Sequence, residues 1–211
     1  MTLDEDDLWL LEAVVELATP LHMLLGPKVA LALNMPRGHG LSPEALCEKL
    51  ASLSERELIR VHQAGDEAVV ARTRAELERA LSQGERFSPD RFVYRLTPRG
   101  GEAWEHYAQP DWSRYIDAGW DREPEICVIE AASREAAEEE YQRHERSGNE
   151  YRPLPESKHG EVLRPWWATY WKVLPAGYRL RYAWVSRQLD VHRIMSSPPP
   201  APWYSSLAHD R

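Results

Sequence analysis

A chain of 211 residues with 43% hydrophobic and 28% charged side chains has the length for one large core or two small ones and an ordinary globular composition. Its two cysteines, Cys47 and Cys127, stand eighty positions apart, which fits neither a disulfide framework nor a zinc site; with no apolar run of membrane-span length and no cleavable signal pattern, the expectation is a cytoplasmic protein with no membrane contact. The net charge of −8 is unevenly spread: residues 152–211 hold nine Lys or Arg against four Asp or Glu, a balance of +5 that leaves −13 for residues 1–151, so either the halves complement each other or a basic partner-binding surface lies toward the C-terminal end.

The stretch LDEDDLWLLEAVVELA opens with acids at Asp4 to Asp7, where the helix dipole favours them, and repeats Leu8, Leu11, Val15 and Ala18 at helical spacing. Pro20 ends this helix or starts the next, and Gly26-Pro27 breaks the apolar run PLHMLLGPKVALAL into two short helices. Arg37 to Gly40 reads as a loop. A helix from about 43 to 53 follows, capped by Ser42 with Pro43 at its first position and striped by Leu46, Leu50 and Leu53. Leu58 to His62 is read as a strand because residues 92–97 need a partner; a capping box from Ser54 to Glu57 offers a second helix instead.

The insertion between those strands contains RTRAELERALSQG, a helix with a Thr73–Glu76 capping box and a stop at Gly84. Gly100-Gly101 reads as a turn before a tryptophan-bearing helix. Residues 110–124, with Pro110, Gly119 and Pro124, read as an irregular connection holding the domain boundary. EICVIEA is a short strand, and a helix runs from a Ser133 cap to Gly148. Residues 149–164 are read as a loop, and residues 166–185 as a hairpin turning at Pro175-Ala176-Gly177. The end, SSPPPAPWYSSLAHDR, reads as an extended tail.

These elements predict an α+β chain: a winged-helix-like domain over 1–110, a small strand, helix and hairpin unit over 111–195, and a Pro-rich tail over 196–211. The N-terminal part resembles the winged helix-turn-helix superfamily of bacterial regulators, of the MarR and PadR kind. Leu50, Leu53, Leu58 and Ile59 resemble a recognition helix running into the first wing strand, and Tyr94-Arg95-Leu96-Thr97 with Gly100 resembles the second strand and its following turn. Glu57 stands where such proteins usually have glycine, and the insertion is longer than a compact wing.

The resemblance implies a transcriptional regulator contacting DNA through Lys49, Arg91, Arg95 and Arg99. Phosphate neutralisation argues the other way, because residues 42–57 set Glu44, Glu48, Glu55 and Glu57 against only Lys49 and Arg56, a net −2. The preferred function is therefore a non-catalytic protein-binding one, an adaptor or an immunity-type protein that masks a partner. Its expected surface is the hairpin, with seven aromatics from Trp166 to Trp184 and the basic residues Lys172, Arg179 and Arg181. Trp171, Lys172, Arg179 and Arg181 are the expected contacts, for a partner of acidic character. The alternative is that Tyr178, Leu180, Tyr182 and Trp184 form a core face on the helix at 133–146, with the arginines solvated. No catalytic, metal or cofactor motif is present: the histidines lack ligand spacing, and His144-Glu145 reads as a solvated pair.

Overall fold

The computed structural model describes residues 2–83, 88–120, 125–146, 151–186 and 203–206. The chain divides into two compact units. The first comprises Met1–Gln109 with the short segments Thr169–Lys172 and Ser205–Arg211, and the second comprises Pro110–Ala168 and Val173–Tyr204.

In the first unit, helix α1 (Glu5–Glu12) begins on an Asp4 capping box and ends earlier than its hydrophobic repeat suggests. Thr19 instead belongs to strand β1 (Thr19–Pro20). A 3-10 turn (Leu21–Leu25) and the short helix α2 (Val29–Ala32) follow on either side of Gly26-Pro27. Helix α3 (Pro43–Glu55) is capped by Ser42, whose hydroxyl accepts the Ala45 N–H at 3.2 Å, and it buries Leu46, Cys47, Leu50 and Leu53.

Its end explains the strand that follows. The Leu58 N–H donates to the Leu53 carbonyl and the Glu57 N–H to that of Ser54, the paired bonds of a Schellman motif. Glu57 accordingly takes a left-handed φ of 59°, so the chain leaves the helix there and runs straight into strand β2 (Ile59–Gln63). The capping-box alternative at Ser54 does not form. After strand β3 (Val70–Ala71), helix α4 (Arg74–Ser82) starts on the expected box: Thr73 Oγ1 accepts the Glu76 N–H, and Glu76 Oε2 accepts the Thr73 N–H at 2.9 Å. The expected stop at Gly84 lies outside the described residues. Strand β4 (Phe92–Leu96) then pairs antiparallel with β2, giving the sheet order β1-β4-β2-β3.

Helix α5 (Pro98–Ala108) corrects the reading of Gly100-Gly101 as a turn. Thr97 caps the helix by accepting the Gly100 N–H at 3.0 Å, and both glycines lie in its first turn. They are there for space: a Cβ on Gly100 would collide with the backbone carbonyl of Leu58, and one on Gly101 with the indole ring of Trp171. Sequence reasoning sees a glycine pair as a turn because the long-range neighbours that forbid a methyl group are invisible to it.

The second unit contains a 3-10 turn (Trp112–Arg114) and strands β5 (Ile116–Trp120) and β6 (Ile126–Ala131). Helix α6 (Arg134–Arg146) begins at Ser133, whose hydroxyl accepts the Ala136 N–H; the expected stop at Gly148 lies outside the described residues. Then come β7 (Tyr151–Pro153), β8 (His159–Leu163), β9 (Trp166–Trp167), β10 (Val173–Leu174) and β11 (Gly177–Ser186).

Two expectations fall here. Residues 110–124 and 149–164 are not merely irregular, because β5, β7 and β8 lie in them; these strands are poor in β-branched residues and form by pairing with neighbours rather than by propensity. Nor do the halves of residues 166–185 make one hairpin. Strand β11 pairs with β6 on one side and with β8 and β7 on the other, while β9, among the described residues, pairs with β10 alone. The core of the sheet is Cys127, Ile129, Ala131, Leu180 and Tyr182 against Ala137 and Tyr141 of α6, which is the alternative the alternating aromatics offered. A second cluster of Tyr115, Trp166 and Ala168 takes in Trp112 and Trp203. Trp203 thus has a packed place, in a stretch expected to be only an extended tail.

Two stability measurements check this packing. Gly101→Ala should lower the unfolding free energy by about 2 kcal/mol, the scale of overpacking a close-fitted core, whereas Glu57→Gly should raise it by about 1 kcal/mol by relieving a left-handed residue. Urea denaturation of the two variants reads both signs.

Candidate functional site

The residues expected to bind a partner are distributed between the two units and mostly engaged. Segment Thr169–Lys172 belongs to the core of the first unit. The Tyr170 hydroxyl donates to the Val14 carbonyl at 2.5 Å and accepts the Leu96 N–H at 2.8 Å. Trp171 is 9% exposed; its indole N–H donates to the Val15 carbonyl at 2.8 Å and its ring stands edge-on to Trp104. Lys172 pairs with Glu105 at 2.5 Å. The expectation of an exposed Trp171 anchor is therefore corrected: Gly101 and Trp104 provide its seat.

In the second unit, Arg179 is held between two carboxylates, with Nε and Nη2 on Glu130 at 2.8 and 2.7 Å and Nη1 on Glu161 at 3.0 Å. These partners raise its pKa further above its already basic value. Arg181 is half-buried beside it, opposite Val128 and His159. Arg179 is thus a bound cation rather than a solvated one.

Trp166 and Trp167, neighbours in sequence, go opposite ways. Trp166 is buried, with its N–H on Glu130 at 2.8 Å, whereas Trp167 is 63% exposed and lies directly across the β9–β10 ribbon from Val173, itself 41% exposed. Trp167 is one of the seven aromatics of the expected surface but not one of its four expected contacts. Alternation along a strand says that adjacent tryptophans face opposite sides, but not which side is open.

The cations expected to touch DNA are also partnered. Lys49 pairs with Asp4 and lies 3.4 Å from Asp7, and Arg56 holds Asp7 at 2.9 Å. Arg95 pairs with Glu67 at 2.8 Å, Arg99 with Glu57 at 3.4 Å, and Arg91 donates to the Ser88 carbonyl at 3.1 Å. Burial pushes the Asp4 pKa up, but the Lys49 ammonium and the backbone N–H groups of Asp7 and Asp6 outweigh it and hold the carboxyl below its ordinary value.

Three further places hold groups of the kinds that do chemistry. His144 is not a solvated partner of Glu145: its Nε2 lies 3.0 Å from buried Glu140, and its Nδ1 bonds the Tyr182 hydroxyl, which in turn touches the Cys127 thiol. The row has the form of an oriented histidine, but Tyr182 is 3% exposed and burial pushes its pKa up, so it locks the core and offers no reachable proton. A cleft of about 650 Å³ beside α4 is bordered by Val70, Arg79, Arg91 and Phe92, while its acids Glu76 and Asp90 are committed to the α4 cap and to Gln63. Cys47 is buried, and burial raises its thiol pKa, which leaves it inert. Among the described residues, no group of three His, Cys, Asp or Glu side chains is placed to hold a metal ion, and no helix is long and apolar enough to cross a membrane.

Comparison with protein-family models, curated proteins and solved structures finds no match to this chain.

The Asp4–Lys49 pair has a pH signature. Because the folded pKa of Asp4 is depressed, its stabilisation is present above the unfolded carboxylate range and fades as pH falls through the folded value. Asp4→Asn keeps a capping oxygen and loses the charge. It should cost about 0.5 kcal/mol at neutral pH, a solvent-screened value, and the difference from the parent should close as the pH falls below the ordinary carboxylate range. Urea titrations across pH check it.

Proposed function

We propose that the chain is a non-catalytic protein-binding protein on a winged-helix scaffold, an adaptor or immunity-type protein that masks a partner in the cytoplasm. The observation that carries this reading is Trp167. A tryptophan 63% exposed, with Val173 across the strand pair from it, is costly to leave in water and typical of the aromatic anchors that dominate protein interfaces. The scaffold part of the reading is supported by α3 running directly into β2 and by the antiparallel β2–β4 pair, where two wing strands are expected. Two buried free thiols accord with a reducing compartment. The expected acidity of the partner rested on Lys172 and Arg179, and with both paired to carboxylates their sign no longer argues for it.

The test is affinity capture from a lysate of the source cells, followed by a dissociation constant for the captured protein. Trp167→Ala should weaken that complex by about 2 kcal/mol or more, mainly through faster dissociation, with the melting temperature unchanged. Equal affinity of variant and parent would remove Trp167 from the interface and with it the observation on which the reading stands.

A second reading, a DNA-binding regulator, is favoured by the same α3–β2–β4 arrangement. Against it stand the acids Glu44, Glu48, Glu55 and Glu57 at exposed positions along and just beyond α3, and the pairing of Lys49, Arg95 and Arg99 with carboxylates, which phosphates would have to displace. A mobility-shift assay with mixed duplexes at physiological salt should show no sub-micromolar complex. Such a complex, lost on changing Arg95 and Arg99 to Ala, would reverse the order of the two readings.

A further inference from the structure

The five-stranded sheet of the second unit has two edges of different character. Along one, β7 and β8 succeed each other beside β11; this edge is interrupted between Leu154 and Lys158 and carries Pro153. The other edge is β5. It is continuous over five residues, antiparallel to β6, and has no strand on its outer side among the described residues. Edges of this kind are normally blunted by charged side chains, above all lysine, by proline, a bulge or a covering element; IDAGW contains neither lysine nor proline, and its one charge is Asp117. Ala118 and Gly119 are exposed, and a Cβ added to Gly119 would meet no atom within 4 Å. Alternate residues of such a strand turn their N–H and C=O groups outward, so β5 presents a ready ladder.

One row of side chains crosses the sheet to that edge. Glu161, Arg179, Glu130 and Asp117 stand in register on β8, β11, β6 and β5. The first three alternate in sign and are bonded to one another, and the second oxygen of Glu130 takes the Trp166 indole N–H. Asp117 repeats the sign of Glu130 and has no cation of its own among the described residues. Asp117 is itself exposed to solvent; partial desolvation against the sheet and, after it, the Glu130 charge push its pKa up. The position one strand further out, directly across from Asp117, is where a cation completes the row.

We propose that β5 is a docking edge for an extended segment of a partner protein, which adds as the next strand and sets a lysine or arginine opposite Asp117. A second copy of this chain is the wrong occupant: β5 paired antiparallel with itself about Ala118 sets Asp117 opposite Gly119 and supplies no cation. The net charge of −8 also draws a basic segment in. The proposal rests on the protein-binding reading and deepens it, through residues other than Trp167.

The probe is a short acetylated peptide of threonine and valine with one central lysine, N-methylated on alternate residues so that it pairs through a single edge. Its control carries glutamate in place of the lysine. Titrated into the isotope-labelled full chain at low salt and followed by NMR, the lysine peptide should shift and protect the amides of β5 and bind about fivefold or more tightly than the control. Asp117→Lys should reverse that order and Asp117→Asn should level it. Equal affinity of the two peptides for the parent chain, shifts confined to residues outside β5, or no binding overturns the proposal. Trp167→Ala should bind the peptide as the parent does, so failure at this edge and failure at Trp167 are read separately.

Discussion

At the start of α5 two successive positions have room for hydrogen and nothing larger. Gly100 lies against the Leu58 carbonyl and Gly101 against the Trp171 ring, and the organisation of the first unit follows from that approach. The Leu58 carbonyl also accepts the Thr97 N–H, so the end of α3, the head of β2 and the cap of α5 meet at one residue. Leu96, the last residue of β4, gives its backbone N–H to the Tyr170 hydroxyl, and Trp171 gives its indole N–H to the Val15 carbonyl. Residues distant in sequence are tied there by bonds that give buried backbone groups their partners, the condition for burying backbone at all.

The same constraint decides which side chains are left for function. An aromatic residue seated on glycine cannot also be an interface anchor, and so the tryptophans of residues 166–171 divide by place: Trp166 and Trp171 are internal, Trp167 is external. Charge divides in a similar way. Each unit pairs cations with its own acids: Lys49 and Arg56 with Asp4 and Asp7, Arg95 with Glu67, Arg179 with Glu130 and Glu161, Lys158 with Glu138. Surface pairs of this kind add little stability, but they hide from a partner the charges that a count along the sequence displays. What remains visible is a place where pairing fails, and Asp117 at the β5 edge is one.

Local rules carried the reading of the sequence a good distance. The caps at Ser42, Thr73 and Ser133 start helices as their chemistry requires, and the strand chosen at Leu58 because residues 92–97 needed a partner is paired with them. The second unit is less legible in its sequence. Strand β5 has Gly119 at its centre side and β8 begins His-Gly-Glu, so neither carries the branched apolar pattern by which strands are recognised; they exist because β6 and β11 template them. The aromatic run misled for the complementary reason. Its composition is that of an interface and also that of a core, and only the three-dimensional neighbours, Gly101 for Trp171 and Gly177 for Trp166, separate the two.

Exchange of the indole N–H protons with solvent, read residue by residue by NMR, tests that division most directly. The indoles of Trp166 and Trp171, bonded to Glu130 and to the Val15 carbonyl, should exchange as slowly as the amides of their core strands, while that of Trp167 exchanges at nearly the rate of a free indole. If Trp171 or Trp166 exchanges as fast as Trp167, the aromatic segment is a surface, and the division into two internal tryptophans and one external one is contradicted.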